Sequence, residues 1–283
     1  MNTSELKLDL KEQSLDRLNN ISLSRDIKIV AEGDSWFDYP PQKDIIDYLR
    51  KEGFAISKVS KLGDTLENMV YGTEYKIHSR KRTVSNFGKE SLNETIASID
   101  KYNPKFVLFS AGGNDVVGEE MVFYLNHKES GEEPFREELF RNQVNGPIKN
   151  AIKYFIKEVT KAKEDIQILM DGYDYAIPNG TKVKMFGVPL VGPYILPSMG
   201  KKGITNRNEQ KDIIKKLVDI FNQMLIELSN EFDNFHHIDL RGMFPNEDQW
   251  HNEIHLRRKG FKTVANEYYV RMKNILGYDP LNN

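Results

Sequence analysis

The chain has 283 residues, with 40 Lys and Arg against 42 Asp and Glu and a formal net charge of −2. The chain lacks the basic excess of nucleic-acid-binding domains, so we expect no nucleic-acid partner. The absence of cysteine excludes disulfides, thiolate zinc sites and a cysteine nucleophile. The N-terminus lacks a signal-peptide pattern and no apolar run reaches about 18 residues. We therefore expect a cytoplasmic protein without membrane association, folded as one domain over residues 1–283.

Five short apolar runs predict buried strands. They span residues 27–31, 54–59, 105–111, 166–170 and 235–240. Apolar residues at helical spacing predict helices over residues 40–53, 91–102, 147–159, 209–232 and 260–276. Strands and helices in alternation imply a parallel sheet with helices on both faces. In such a sheet, a ligand site lies at the carboxyl ends of the strands.

Four segments lie outside the predicted strands and long helices. Residues 116–146 and 173–206 follow strand ends directly, and loops of this length are usually functional. We predict that both are insertions that form walls or a lid over the site. The polar residues 1–24 are expected to pack loosely, and the basic cluster at 76–82 is expected to be a solvated loop.

Two sequence blocks after strand ends carry groups suited to nucleophilic catalysis. Gly-Asp-Ser-Trp at residues 33–36 follows the first strand and exposes Ser35 at the sheet edge, where an adjacent base would activate its hydroxyl. Gly-Gly-Asn-Asp at residues 112–115 follows the third strand and offers the Asn114 amide to a developing oxyanion. Taken singly, each block is equally compatible with an ordinary turn or a helix cap.

Two further blocks lie in the same relation to the sheet. Leu-Gly-Asp-Thr at residues 62–65 follows the second strand and offers the backbone N–H of Gly63. The segment 250–256 lies between the fifth strand and the last helix and contains His255, a residue type that serves as general base near neutral pH. A histidine in such a loop is otherwise a surface residue.

The four blocks, in this order, resemble those of the SGNH/GDSL hydrolase family, with Ser35, Gly63, Asn114 and His255 at the four named positions. The resemblance covers residues 27–276. It implies a flavodoxin-like three-layer α/β/α sandwich of about five parallel strands. It also implies hydrolysis of acyl esters without metal or organic cofactor. Ser35 would be the nucleophile and His255 the base, and the N–H groups of Ser35 and Gly63 with the Asn114 amide would form the oxyanion hole.

One position departs from the family pattern. The aspartate usually found three residues before the histidine is replaced by Asn252, which carries no charge to stabilise an imidazolium. Glu253, Asp248 or a backbone carbonyl near residue 252 could take its place. Of these arrangements we favour the carbonyl or Asn252 itself, because the spacing brings position 252 closest to His255.

Other aromatic and histidine residues have two interpretations each. His251 is a rival base, and its i, i+4 spacing from His255 would suit a metal on a helix, but no third ligand is evident, so we expect no metal site. Trp36 and Tyr173 are predicted to bind substrate. With Tyr39, Tyr175 and Tyr194, they would line an acyl or sugar pocket or else pack in the core.

Three functions remain open at this point. The first is a serine hydrolase acting on a small-molecule carboxylic ester. The second, suggested by Asn252, is a catalytically weak SGNH-like protein that binds a ligand or a partner. The third is a flavodoxin-like mononucleotide-binding protein, since the fold class is shared.

Overall fold

The computed structural model describes residues 27–185, 188–189 and 191–277. The segment 1–24, predicted to pack loosely, lies outside this range. The strands are β1 (Lys28–Gly33), β2 (Ala55–Lys58), β3 (Tyr75–His78), β4 (Thr83–Asn86), β5 (Phe106–Ser110), β6 (Gln167–Asp171), β7 (Lys184–Met185), β8 (Val188–Pro189) and β9 (Phe235–Ile238). The α-helices are α1 (Ile45–Lys51), α2 (Leu66–Tyr71), α3 (Glu90–Tyr102), α4 (Glu137–Gln143), α5 (Lys149–Ala162), α6 (Leu196–Lys201), α7 (Arg207–Glu231) and α8 (Arg258–Ile275).

The central sheet has the order β2-β1-β5-β6-β9, and all its neighbouring strands are parallel. Counted among themselves, these strands follow the order 2-1-3-4-5 of flavodoxin-like folds. The five predicted strands are therefore confirmed, each within about two residues of its bounds. Strand order reverses between β1 and β5, and this switch point is where such sheets bind ligands.

Helices cover both faces of the sheet. Because successive strand side chains point to opposite faces, Val107 and Phe109 pack with α3, α5 and α7, whereas Phe106 and Leu108 pack with α1 and α8. The rings of Phe109 and Phe155 stack with centroids 4.0 Å apart. This arrangement confirms the predicted three-layer α/β/α sandwich.

Two helix starts differ from the sequence prediction. The first helix begins at Ile45 rather than at the prolines, because Asp44 caps it and forms a capping box with Asp47. The helix predicted to start at Pro147 begins at Glu137 instead and passes through a π-helical segment, Val144–Ile148. A proline lacks the N–H that an α-helix needs, and the wider π turn accommodates this. The last part of the predicted loop 116–146 is therefore helical.

The basic cluster 76–82 belongs to an antiparallel hairpin of β3 and β4 rather than to an irregular loop. Its residues are largely exposed, as predicted, and so are the apolar side chains of Ile77 and Val84. Sequence analysis also missed the short helix α2. Throughout the described ranges, every helix is too short or too polar to cross a bilayer.

The segment 173–206 is anchored by the buried carboxylate of Glu253. Its Oε1 accepts the backbone N–H groups of Gly180 (3.0 Å) and Leu196 (3.1 Å), and its Oε2 accepts those of Tyr194 (2.5 Å) and Ile195 (2.7 Å). Helix α6 has no side-chain cap of its own. The Glu253 carboxylate therefore supplies the acceptors for the Ile195 and Leu196 N–H groups at the start of α6. Its negative charge lies at the positive end of the dipole of that helix.

Replacing Glu253 by glutamine should reveal this anchoring role. One oxygen becomes an NH₂ group that faces backbone donors, so two charge-assisted hydrogen bonds are lost. We expect the free energy of unfolding in urea to fall by about 3 kcal/mol or more, at roughly 1.5–3 kcal/mol per bond. Glu247→Gln is the matched control, because Glu247 makes only an exposed ion pair with Arg207. Equal effects of the two substitutions would contradict the role given to Glu253.

Candidate active site

Ser35 lies at the carboxyl end of β1, in a turn held by Asp34. The Asp34 N–H donates to the Ser110 carbonyl of β5 (3.0 Å), and its Oδ1 accepts the N–H of Trp36 (2.9 Å). Its carbonyl accepts the N–H groups of Phe37 and Asp38. These bonds hold the turn after β1 and present the Ser35 side chain at the switch point between β1 and β5.

The loop before α8 brings His255 against Ser35. His255 Nε2 lies 2.7 Å from Ser35 Oγ, and both side chains are buried. The ring stacks on Tyr39, with centroids 4.2 Å apart and planes 19° from parallel. Burial, and next the charge of His251, lower the pKa of His255 to about 3. The imidazole is therefore neutral near pH 7.

Asn252 contacts the other nitrogen of the His255 ring. Its Oδ1 accepts the backbone N–H groups of Ile254 (2.9 Å) and His255 (3.0 Å), and its Nδ2 donates to the Tyr39 hydroxyl (3.0 Å). His255 Nδ1 lies 3.1 Å from Oδ1 and 3.0 Å from Nδ2. The two backbone bonds fix which atom of the amide is oxygen. Because both lone pairs of that oxygen are used, the second Nδ2 hydrogen is the group free to meet Nδ1.

The alternatives to Asn252 lie elsewhere. The Glu253 carboxylate is committed to the four backbone N–H groups described above. Asp248 is exposed on the short 3₁₀ turn Glu247–Gln249. The carbonyls of Glu253 and Ile254 accept the Ile177 N–H (3.0 Å) and the Trp36 indole N–H (3.1 Å). Of the groups considered, only the Asn252 side chain contacts Nδ1 of His255 among the described residues.

His251 does not meet Ser35. Its Nδ1 lies 2.8 Å from the Tyr39 hydroxyl, and that hydroxyl in turn accepts from Asn252. Burial lowers the pKa of His251 as well. No group of three or more metal-ligating side chains occurs within the described ranges.

The three loops that hold Ser35, Gly63 and Asn114 are tied together by hydrogen bonds. Lys61 N–H donates to the Gly33 carbonyl (2.9 Å), and Asn114 Nδ2 donates to the carbonyl of Asp64 (2.8 Å), the residue after Gly63. The Gly63 backbone has φ +76°, a conformation that favours glycine. Among the described residues, no acceptor is bonded to the N–H of Ser35 or of Gly63, and the second hydrogen of the Asn114 amide is also available.

The loop that carries Asn114 is also hydrogen-bonded to the start of α2. The Asp115 carboxylate accepts the N–H groups of Leu66 (2.8 Å) and Glu67 (3.3 Å) at the start of α2. It thereby joins the loop after β5 to the loop after β2. Sequence analysis considered Asp115 as a cap of its own turn but not of a distant helix.

Trp36 and Tyr173 both line an apolar cleft that opens beside Ser35 and Asn114. Their rings meet edge to face with centroids 5.0 Å apart. The Tyr173 hydroxyl donates to Asp34 Oδ2 at 2.6 Å, and the Trp36 indole N–H donates to the Ile254 carbonyl at 3.1 Å. Both side chains are thus fixed in the cleft wall.

The other three tyrosines do not line this cleft. Tyr39 is buried beneath His255. The Tyr175 hydroxyl bonds the Asp219 carboxylate (2.8 Å), and the Tyr194 ring meets the His255 ring edge-on at 6.4 Å. Tyr39 and Tyr194 therefore support the imidazole, which sequence analysis did not foresee for either.

No family model matches the sequence, and no curated protein matches it either. Solved structures do match its fold. A lipase from a goat rumen metagenome is 14% identical, with 90% of this chain and 100% of that chain covered and a TM-score of 0.55. An extracellular lipase from Streptomyces rimosus is 12% identical, with 85% and 98% covered and a TM-score of 0.51. The chain thus has the fold of these lipases, and its resemblance to the SGNH/GDSL hydrolases is confirmed at the level of the fold.

Proposed function

We propose that the protein is a serine hydrolase of carboxylic esters, with Ser35 as nucleophile and His255 as general base. The observation that carries this proposal is the 2.7 Å contact between Ser35 Oγ and His255 Nε2 at the mouth of an apolar cleft. A serine hydroxyl attacks a carbonyl only when a base takes its proton. Neutral His255 has a nitrogen lone pair for that proton, and its lowered pKa makes it a weak base.

The reaction proceeds in two steps, acylation of Ser35 and hydrolysis of the acyl-enzyme. Ser35 Oγ bonds to the acyl carbon, the bond from that carbon to the alcohol oxygen breaks, and His255 Nε2 passes the serine proton to the alcohol. Water then attacks the acyl-enzyme, His255 takes one of its protons, and Ser35 recovers a proton as the carboxylic acid leaves. The N–H groups of Ser35 and Gly63 and the Asn114 amide would stabilise the oxyanion, each donor lowering the barrier by about 3 kcal/mol.

Asn252 favours a slow form of this enzyme. When Nδ2 donates to Nδ1 of His255, the ring proton lies on Nε2 and points at Ser35 Oγ, so the ring must change tautomer before it can act as a base. An amide also leaves the imidazolium of the transition state without a neighbouring negative charge. This is the observation behind the second candidate, a ligand-binding protein with little hydrolytic activity.

Covalent labelling tests the nucleophile directly. We expect a fluorophosphonate to modify Ser35, as located by peptide mass spectrometry, because His255 raises the reactivity of that hydroxyl. Ser35→Ala should abolish both labelling and the hydrolysis of p-nitrophenyl esters. Ser60→Ala is the control, because this buried serine in the next loop donates to the Ala31 carbonyl and does not contact His255. Labelling that persists in Ser35→Ala would remove the proposal.

Restoring a carboxylate at position 252 tests the role of Asn252. Asn252→Asp should raise kcat at pH 7 by one to four orders of magnitude, the upper value being about the 10⁴-fold loss caused by the reverse change in another serine hydrolase. The acid limb of kcat/KM should lie below pH 5 in the natural protein, because burial lowers the pKa of His255. In the variant it should move toward neutral pH, since the carboxylate stabilises the imidazolium.

The exposed substitution Asn246→Asp adds the same charge in the same loop and serves as the control. It should leave both kcat and the position of the acid limb unchanged. If Asn252→Asp behaves like this control, the Asn252 side chain does not occupy the position of a catalytic acid.

A further inference from the structure

The cleft beside Ser35 is walled by one face of α7. Ile214, Leu217, Val218 and Phe221 follow the i, i+3, i+4, i+7 pattern, so all four project from the same side of the helix. The opposite wall comes from the loops at the sheet edge and is equally apolar. It includes Trp36, Val116, Val117, Ala176, Ile195 and Ile254.

Apart from Ser35 and Asn114, the polar side chains in this cleft already have hydrogen-bond partners. Asp34 accepts hydrogen bonds from Trp36 N–H and the Tyr173 hydroxyl. Asp174 accepts the backbone N–H groups of Gly242 (2.6 Å) and Phe244 (2.7 Å). A sugar or another hydroxylated group placed against the α7 wall, which offers it no polar side chain, would lose hydrogen bonds to water, which costs free energy. The wall therefore selects against polar groups, and the sugar interpretation of this pocket is disfavoured.

The α7 wall of the cleft is also closely packed. Its side chains keep little exposure, from 2% for Ile214 to 7% for Val218. An unbranched chain displaces such side chains least, whereas an aromatic ring or a carbon branched beside the carbonyl would have to push more of them aside. Displacing well-packed side chains costs free energy.

The position of His255 decides which part of an ester enters. His255 gives its proton to the leaving alcohol, so the alcohol must lie on the His255 side of Ser35. His255 is not among the residues that line the cleft, whereas Ser35 and Asn114 are. The group that stays bonded to Ser35 after the first step, the acyl group, is therefore the one directed into the cleft.

We propose that this site accepts unbranched apolar acyl chains of medium length in preference to acetyl, branched, aromatic or hydroxylated acyl groups. This inference rests on the proposed function of Ser35. Each methylene that enters the cleft leaves water for an apolar wall, which is worth ~0.8 kcal/mol or about a fourfold gain in kcat/KM. The gain should end where the chain outgrows the α7 wall.

The experiment is a series of p-nitrophenyl esters from acetate to decanoate, measured as kcat/KM with the full-length protein. We expect kcat/KM to rise about fourfold per methylene from butanoate to about octanoate, and p-nitrophenyl pivalate and benzoate to react more slowly than hexanoate. Ser35→Ala, measured in parallel, gives the background for every ester.

Two variants test whether the acyl chain of the ester lies in this cleft. Val218→Phe fills the cleft and should lower the ratio of octanoate to acetate kcat/KM at least tenfold. Leu217→Ala widens it and should raise the ratio of pivalate to hexanoate. Each ratio is taken within one preparation, so it does not depend on the fraction of folded protein. Lys216→Phe is the control, because Lys216 is exposed on the opposite side of α7 and should leave both ratios unchanged.

The two levels of the proposal fail differently. Ser35-dependent hydrolysis that is fastest for acetate, or that ignores chain length, overturns the acyl-chain inference and leaves the esterase proposal intact. Ratios that change equally in Val218→Phe and Lys216→Phe also overturn it. If no ester is hydrolysed and Ser35 is not labelled, both proposals fall.

Discussion

The hydrogen bond between the Tyr173 hydroxyl and Asp34 holds the functional edge of the sheet together. It joins the loops after β1 and β6 at 2.6 Å, and the Gly113 N–H from the loop after β5 reaches the same hydroxyl at 3.4 Å. Burial raises the pKa of Asp34 to about 7 and raises the pKa of Tyr173 well above its ordinary value. The tyrosine therefore remains the donor, and three strand ends keep one geometry around Ser35.

Tyr173 adopts a strained backbone conformation in this arrangement. Tyr173 has φ +59°, which is unfavourable for a residue with a side chain. Its neighbour Gly172 cannot be replaced, since a Cβ there would lie 2.0 Å from Asn222 Oδ1. The strain persists because contacts with Asp34 and Trp36 fix the ring, and strained residues of this kind concentrate at functional sites.

The proposed catalytic cluster of Ser35, His255 and Asn252 is buried. An uncompensated carboxylate at position 252 would be costly at this depth, and the neutral Asn252 avoids that cost while it still bonds two backbone N–H groups and Tyr39. The same residue gives an imidazolium no neighbouring negative charge, and His251 lowers the pKa of His255 further. In the proposed mechanism, Asn252 thus stabilises the resting state and not the transition state.

Sequence alone was sufficient for the framework of this protein. Short apolar runs located the five central strands and period-3.6 patterns located the long helices, and the order of the strand ends placed Ser35, Asn114 and His255 at one edge. Contacts between distant segments could not be read in the same way. Glu253 was considered only as a possible acid for His255, yet its carboxylate accepts backbone N–H groups 57 to 73 residues away. Pro147 looks like a helix start, because a π turn leaves no signature in composition.

Helix α7 shows how a site can be hidden in an ordinary amphipathic pattern. Ile213, Ile220 and Met224 pack in the core, as a single apolar stripe would predict. Ile214, Val218 and Phe221 widen that stripe, and they belong to the same core cluster but also line the cleft. The same side chains therefore serve the packing of the helix against the sheet and the lining of the cleft. An apolar chain bound as proposed would add dispersion contacts to that wall without changing how α7 packs.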